Sequence, residues 1–255
     1  MADGSIASVS LKDKVSPEEW RVRVDLAALY RLVALNGWDD LIYTHISARA
    51  PGPEHQFLIN PYGMLFEEIT ASSLVKIDLD GRILSDTPYY VNAAGFTIHS
   101  AVHEAREDAQ FVMHLHTDQG VAVSAQREGI LPLSQHALIV MPKVAYHDYE
   151  GIALNADEKT RLVADLGDKP LMILRNHGTL AIGRTAGVCW EGMYYLERTC
   201  RTQIMALSGG REHVAFASED AIDTVRGQTM RGVGGDLAWP GCLRKVDRQS
   251  PGYDT

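Results

Sequence analysis

The sequence has few cysteines, and they are scattered. Among 255 residues it contains three, Cys189, Cys200 and Cys242, and no two of them form a CxxC pair. Neither a disulfide framework nor a thiolate zinc site is therefore indicated. We expect a reducing, cytoplasmic setting.

Long apolar runs and an excess of basic residues are also lacking. No window approaches the roughly 20 apolar residues of a membrane span, and the first 15 residues do not have the pattern of a signal peptide. The 24 Lys and Arg residues are outnumbered by 33 Asp and Glu, which gives a formal net charge of −9. Because such a surface repels phosphate backbones and anionic lipids, we expect neither nucleic acid nor a membrane as a partner.

The composition and the order of the apolar patterns indicate one globular α/β domain. Hydrophobic residues make up 45% of the chain and charged residues 22%, which is close to the globular average. Helical and strand-like patterns alternate without a linker, so we expect a single domain over residues 1–255. Its core spans about residues 20–210, preceded by a loose N-terminal segment and followed by a Gly-rich C-terminal tail. Residues 139–141 are interpreted as strand-like.

Three of the ten histidines form a candidate metal site. In the apolar segment 111–116, His114 and His116 alternate with Phe111, Met113 and Leu115, so the two imidazoles share one face of a predicted strand. His177 follows another apolar strand and is the best third ligand. Three histidines and a water are typical of an open catalytic site. The alternative is that these are hydrogen-bonded core histidines.

Several motifs resemble the class II aldolase/adducin family, in its adducin-like branch. The similarity runs from about residue 20 to residue 210. It rests on the following segments: 41–46 (LIYTHI), 94–101 (AGFTIHSA), 114–117 (HLHT), 145–149 (AYHDY) and 173–178 (ILRNHG). The resemblance implies a three-layer α/β/α sandwich around a central, mainly antiparallel sheet. It also implies a homotetramer with sites at subunit interfaces and a divalent metal on His114, His116 and His177.

The departures from the family pattern bear on the substrate. Where sugar-phosphate aldolases of the family have Ser-Ser-Glu, for phosphate binding and proton transfer, residues 93–95 are Ala-Ala-Gly. A second phosphate contact, Gly-Asn in the family, is Thr44-His45. Both changes argue against a phosphorylated sugar. Asn60 and Gly63 keep the family's turn beside the substrate, where the Gly63 N–H can face an anion.

This residue set favours decarboxylation of a small non-phosphorylated hydroxy-aromatic or keto acid. A metal on three imidazoles can stabilise negative charge on a substrate oxygen, and loss of CO2 needs no base to remove a carbon-bound hydrogen. The proton donor is expected in the segment 146–149, as His147 or Tyr149. The alternative is that these two residues pack at a subunit interface. His45 is a candidate substrate contact.

Other functions remain open. They are an aldolase of a non-phosphorylated substrate, a non-catalytic adducin-like binding domain and a mononuclear iron oxygenase. Three histidines suit zinc best but also accept manganese or iron. The substrate, the metal and the proton donor are not determined by the sequence.

Overall fold

The computed structural model describes residues 11–151, 156–228 and 234–255, and for residues 93–96, 156 and 157 it describes the backbone only. Residues 1–10 of the predicted loose N-terminal segment lie outside the described residues. The α-helices of the described part are α1 Pro17–Leu35, α2 Ala93–Ala105, α3 Asp118–Ser124, α4 Gln135–Val140, α5 Ala156–Leu166, α6 Ala186–Leu207, α7 Glu219–Gln228 and α8 Gly234–Gln249. The strands are β1 His45–Arg49, β2 Phe57–Ile59, β3 Val75–Ile77, β4 Phe111–Leu115, β5 Val144–His147, β6 Leu171–Leu174 and β7 Gly178–Gly183. Short 3-10 helices span Phe66–Glu68, Met141–Lys143 and Arg211–His213.

The strands form one sheet in the order β3-β2-β1-β4-β7-β6-β5. Every neighbouring pair is antiparallel except β5 and β6, which are parallel. The sheet is thus mixed, but mainly antiparallel as predicted. In its centre, β1 pairs with β4 in a register that places His45 directly opposite His114.

Helices cover both faces of the sheet and make a three-layer sandwich. On one face, Ile98 and Val102 of α2 and Leu162 and Leu166 of α5 pack against strand side chains such as Leu180. On the other face, the main core joins the sheet to α1, α3, α6 and α8. The predicted α/β/α class is confirmed, and His114 lies on the face that α2 and α5 cover.

Local signals in the sequence place the first helix. The Ser16 hydroxyl accepts a hydrogen bond from the Glu19 N–H at 3.1 Å, and Pro17 occupies the first turn, where its fixed φ favours the helix. Asn36 caps the end, and Gly37 has a φ of +64°.

Two segments differ from the sequence interpretation. Residues 139–141 are not a strand, since Ile139 lies in α4, which starts at a Ser134 cap that binds the Ala137 N–H at 3.1 Å. The C-terminal tail contains α8, and it packs on the core through the buried Val246 and Tyr253. No helix of the described residues is long and apolar enough to cross a membrane.

Candidate metal centre

Three imidazoles meet at one end of β4. His114 is on the strand, His116 lies just beyond it, and His177 lies in the turn between β6 and β7. The ring centroids are 4.7–4.8 Å apart, and one ligand atom from each ring lies within 4.8 Å of the other two. The structure brings together the three residues that the sequence predicted as ligands.

The hydrogen bonds of two rings show which nitrogens are free. The His114 Nδ1 lies 3.0 Å from the carbonyl oxygen of Thr179, and the His116 Nδ1 lies 3.0 Å from Oδ2 of Asp40. Carbonyl and carboxylate oxygens only accept, so both Nδ1 atoms donate, and in the neutral form of each ring the Nε2 atom carries a lone pair. These Nε2 atoms lie 3.0 Å apart. Two facing lone pairs repel each other, and a shared cation would relieve that repulsion, so the donor set fits a divalent metal.

The protonation of the rings also fits a metal. Burial lowers the pKa of His114 well below its ordinary value, and the neighbouring His177, His116 and His99 lower it further. Burial, with the influence of His116, lowers the pKa of His177 to about 4. Metals bind the neutral imidazole, which is the form that these pKa values favour near neutral pH.

Substitution of Asp40 tests the role of the hydrogen bond that orients His116. We expect Asp40→Asn to weaken metal affinity by about 10- to 100-fold, because the carboxylate fixes the tautomer and raises the basicity of the ring. Metal titration of the apo protein measures the change. Asp39→Asn is the matched control, because Asp39 is the exposed neighbour of Asp40 and should leave affinity unchanged. Equal affinities of the two variants would contradict a role for Asp40.

A glycine allows the two ligand-bearing segments to approach. A Cβ on Gly178 would overlap the carbonyl oxygen of Leu115 and would lie 3.2 Å from the His116 ring. Only glycine therefore lets β7 begin this close to the end of β4. This close approach brings His177 to the other two imidazoles.

A buried carboxyl group on the opposite face of the sheet supports the site through hydrogen bonds. Glu197 of α6 accepts hydrogen bonds from the hydroxyls of Thr117 and Thr179. Thr117 follows His116, and Thr179 supplies the carbonyl that binds His114. Burial raises the pKa of Glu197 to about 6, although the two threonine hydrogen bonds act to lower it.

The raised pKa of Glu197 predicts a pH-dependent stability. Between about pH 4.5 and 6 the folded chain keeps a proton that the unfolded chain loses, so this group lowers the free energy of unfolding as pH rises through that window. A shift of about 1.5 units corresponds to about 2 kcal/mol. In urea unfolding at a series of pH values, the difference between wild type and Glu197→Gln should change by about this amount. The exposed Glu104→Gln control should show a flat difference, and a flat difference for Glu197→Gln would refute the effect.

The candidate substrate residues lie beside the triad on β1 and after β2. His45 is buried, and its Nδ1 lies 3.1 Å from Oδ1 of Asn60. Burial lowers the pKa of His45 to about 4. Gly63 lies in the exposed turn three residues after Asn60, with a φ of +102°. His45 and Asn60 are thus in contact, and Gly63 is at the surface.

The two candidate proton donors occupy different environments. His147 is buried at the end of β5, where its Nδ1 lies 2.7 Å from Asp165 and its Nε2 lies 4.0 Å from Glu158. Tyr149 is 53% exposed, and its ring centroid lies 6.2 Å from that of His177. Tyr149 thus lies next to His177 with access to solvent, whereas the His147 ring is buried and bonded to Asp165.

Strained backbone surrounds the site. Leu41, Thr44 and Asn176 are the described non-glycine residues with positive φ, at +50°, +65° and +55°. Each is a sequence neighbour of a site residue: Asp40, His45 and His177, respectively. Left-handed conformations are costly, above all for a β-branched residue such as Thr44, and such strain concentrates at functional sites.

Sequence reasoning missed the residues that support the triad. Asp40 and Thr179 bond to its imidazoles and Glu197 bonds to Thr117, and the sequence separations of 65 to 80 residues between bonded partners leave no local pattern. A signal existed for Glu197 only, because a glutamate on the apolar face of a long helix is unusual.

The sheet, its layers and the three converging imidazoles define an α/β/α domain with a candidate three-histidine metal site. The chain belongs to the Class II Aldolase and Adducin N-terminal domain family, whose model matches residues 24–204. The resemblance seen in the sequence is confirmed.

Relatives and solved structures agree with this assignment. A Caulobacter vibrioides protein, provisionally named an aldolase class 2 protein, is 69% identical over 99% of both chains. Alpha-adducin of Rattus norvegicus is 44% identical over 76% of this chain but only 27% of its own length. An aldolase II superfamily protein from Pseudomonas syringae superposes with a TM-score of 0.92 at 50% identity, covering 97% of this chain and 100% of its own. L-fuculose 1-phosphate aldolase from Glaciozyma antarctica superposes with a TM-score of 0.80 at 26% identity, covering 91% and 90%.

Proposed function

We propose that the protein is a metal-dependent carbon–carbon lyase that decarboxylates a small, non-phosphorylated hydroxy-aromatic or keto acid. The observation that carries the proposal is a three-histidine centre next to a helix that begins Ala93-Ala94-Gly95. These three residues offer neither a carboxylate nor a hydroxyl. The carboxylate of Asp40 accepts a hydrogen bond from the Nδ1 of His116 and is engaged in orienting that ring.

The electrostatics around His45 argue against a phosphate ester. With a pKa of about 4, His45 is neutral near pH 7 and adds no positive charge. A smaller, less charged acid suits the site better.

The chain's own residues then position the acid and move one proton. A divalent metal held by His114, His116 and His177 would supply Lewis-acid stabilisation of negative charge on a substrate oxygen. Asn60 and His45 would hold the substrate on one side of the triad, with the Gly63 N–H at the entrance. The bond to the carboxyl carbon breaks, CO2 leaves, and its electron pair stays on the substrate carbon. Tyr149 O–H then gives that carbon a proton and recovers one from solvent.

The cofactor and the assembly belong to the same proposal. Three neutral imidazoles suit Zn²⁺ best, with Mn²⁺ or Fe²⁺ as alternatives. We propose a homotetramer with sites at subunit interfaces, as the family resemblance implies, and a cytoplasmic location, with which three free cysteines are compatible. Small-molecule acids are the proposed partners.

Gas exchange tests the reaction class. The metal-loaded protein, incubated with a panel of hydroxy-aromatic and keto acids, should release CO2 without taking up O2. Carbon–carbon cleavage without CO2 would favour an aldolase, and O2 consumption would favour an iron oxygenase. A metal-loaded protein that is inert to every acid would favour a binding domain, the alternative that the identity to alpha-adducin supports.

A further inference from the structure

A row of buried polar side chains continues from His45 away from the triad. Ser47, two residues along β1, lies between two histidines of α2: its Oγ is 2.6 Å from the Nδ1 of His99 and 2.7 Å from the Nε2 of His103. The Nδ1 of His103 lies 2.8 Å from the carbonyl oxygen of Ala109. His99, Ser47 and His103 are each about 1% exposed.

One backbone carbonyl sets the direction of every hydrogen bond in this row. The Ala109 oxygen can only accept, so the His103 Nδ1 donates and the His103 Nε2 of a neutral ring must accept. The single hydroxyl hydrogen of Ser47 therefore goes to His103. Ser47 in turn accepts from the Nδ1 of His99, and the Nε2 of His99 is left with a lone pair and no hydrogen.

Burial keeps both rings neutral, as this scheme requires. It lowers the pKa of His103 to about 3, with a smaller contribution from Arg49, and it lowers the pKa of His99 well below its ordinary value, with smaller contributions from His45 and His103. As long as neither ring is doubly protonated, the geometry alone gives the same donor and acceptor assignment for these hydrogen bonds.

The row ends in an acceptor without a partner. Among the described residues, the Nε2 of His99 makes no hydrogen bond although it is buried. Leaving such a group unpaired costs about 1–3 kcal/mol, and buried unpaired atoms are rare enough to need an explanation. The His99 ring lies 6.1 Å from the ring of His45, which stands opposite His114.

A donor without a partner lies on the other side of His45. The hydroxyl oxygen of Tyr30 already accepts from the backbone N–H groups of Ile46, at 2.8 Å, and Asn60, at 3.3 Å. Its single hydrogen faces two acceptors, the carbonyl oxygen of Ile46 and the Oδ1 of Asn60, which is 2.9 Å away. The amide of Asn60 lies with Oδ1 toward Tyr30 and His45. The buried Nδ2 of Asn60 consequently has no partner among the described residues.

We propose that His99 determines specificity for a hydroxyl group, so that the substrate is a hydroxy acid and not a keto acid. A hydroxyl can donate to the His99 Nε2, whereas a keto or carboxylate oxygen can only accept, and the Asn60 Nδ2 remains available to another oxygen of the acid. Ser47 and His103 are positioning residues, because they hold His99 in the accepting tautomer. A neighbouring side chain must move to admit the hydroxyl, since the Nε2 is shielded from solvent. The reaction class rests on the proposed function, but the selectivity for binding does not.

The tautomer can be measured without any substrate. In protein labelled with ¹⁵N-histidine, the His99 ring at pH 7 should show a protonated Nδ1 and an unprotonated Nε2, and the His99→Phe variant assigns the signals. Ser47→Ala removes the link to His103 and should release His99 into a tautomer mixture. Ser100→Ala is the matched control: Ser100 is as buried as His99, but its hydroxyl bonds the Thr97 carbonyl. A protonated His99 Nε2 in wild type would overturn the proposal.

Binding tests the selectivity. The affinities of metal-loaded protein for 2-, 3- and 4-hydroxybenzoate are compared with those for the fluorobenzoates, whose fluorine has a similar size but no hydrogen to donate. We expect at least one hydroxy acid to bind about tenfold or more tightly than its fluoro partner in wild type and Ser100→Ala, and this preference to be lost in Ser47→Ala and His99→Phe.

Three results would count against the inference: no preference in wild type, a preference that survives in His99→Phe, or a crystal structure with bound hydroxybenzoate in which the His99 Nε2 bonds only to water. Because the readout is binding, absence of CO2 release would refute the proposed reaction and leave the hydroxyl preference standing.

Discussion

Replacing His114 by alanine should strip the protein of its metal. Wild type grown in metal-replete medium should carry about one divalent ion per chain, whereas His114→Ala should retain almost none after purification. Because one of three ligands is lost, we expect metal affinity to fall by more than the roughly 100-fold typical of residues that only orient a ligand. The Thr179 carbonyl oxygen also loses the His114 ring as its hydrogen-bond partner. Elemental analysis measures the content, and CO2 release should be lost with it.

The controls separate loss of metal from loss of fold. His213→Ala removes a histidine whose side chain is 74% exposed, and it should keep both metal and activity. His177→Ala removes a partly exposed ligand in a turn, at lower cost to the core than His114, and should lose the metal equally. A His114→Ala protein with a full complement of metal, or a metal-free wild type, would refute the metal centre.

Much of the framework could be predicted because its determinants are local. The Ser16 cap, the proline that follows it and the apolar spacing of α1 lie within a few residues of each other, and so do the alternating residues of β4. The three candidate metal ligands could be predicted for the same reason. The spacing of His114 and His116 places their side chains on one face of a strand, and His177 lies in a motif of the family. The strand prediction for residues 139–141 was wrong because a run of three apolar residues is too short to show a helical period. The Ser134 cap starts the helix that contains Ile139.

The support of the site could not be predicted because it is made by contacts distant in sequence. Asp40 reaches His116 across 76 residues, and Ser47 reaches His99 and His103 across 52 and 56. The spacing of His99 and His103, one helical turn apart, indicates only that the two side chains share a face of α2. The pairing of β1 with β4 and the packing of α2 over β1 turn that face into a directed hydrogen-bond row beside the metal ligands.

Surroundings, and not sequence position, separate the two candidate proton donors. His147 is enclosed by two carboxylates of α5, and its ring faces Asp165 at 2.7 Å. Tyr149, two residues further on, has left the strand and lies next to His177 with access to solvent. Solvent access matters because a donor must recover its proton after each turnover.

Replacing Tyr149 by phenylalanine should therefore lower kcat by about 10²- to 10⁴-fold, the usual contribution of a positioned general acid. Bound metal and substrate affinity should stay close to wild type, because the ring remains and only the hydroxyl is removed. Steady-state CO2 release, together with elemental analysis, separates this defect from the loss of metal expected for His114→Ala.

Tyr195→Phe is the matched control, since Tyr195 is 37% exposed on α6 and its ring stacks on His136, 5.5 Å away. It should turn over like wild type. His147→Asn should reduce kcat less than Tyr149→Phe, because the imidazole is buried and its Nδ1 is already bonded to Asp165. Full turnover by Tyr149→Phe, with a large loss in His147→Asn, would instead identify His147 as the donor.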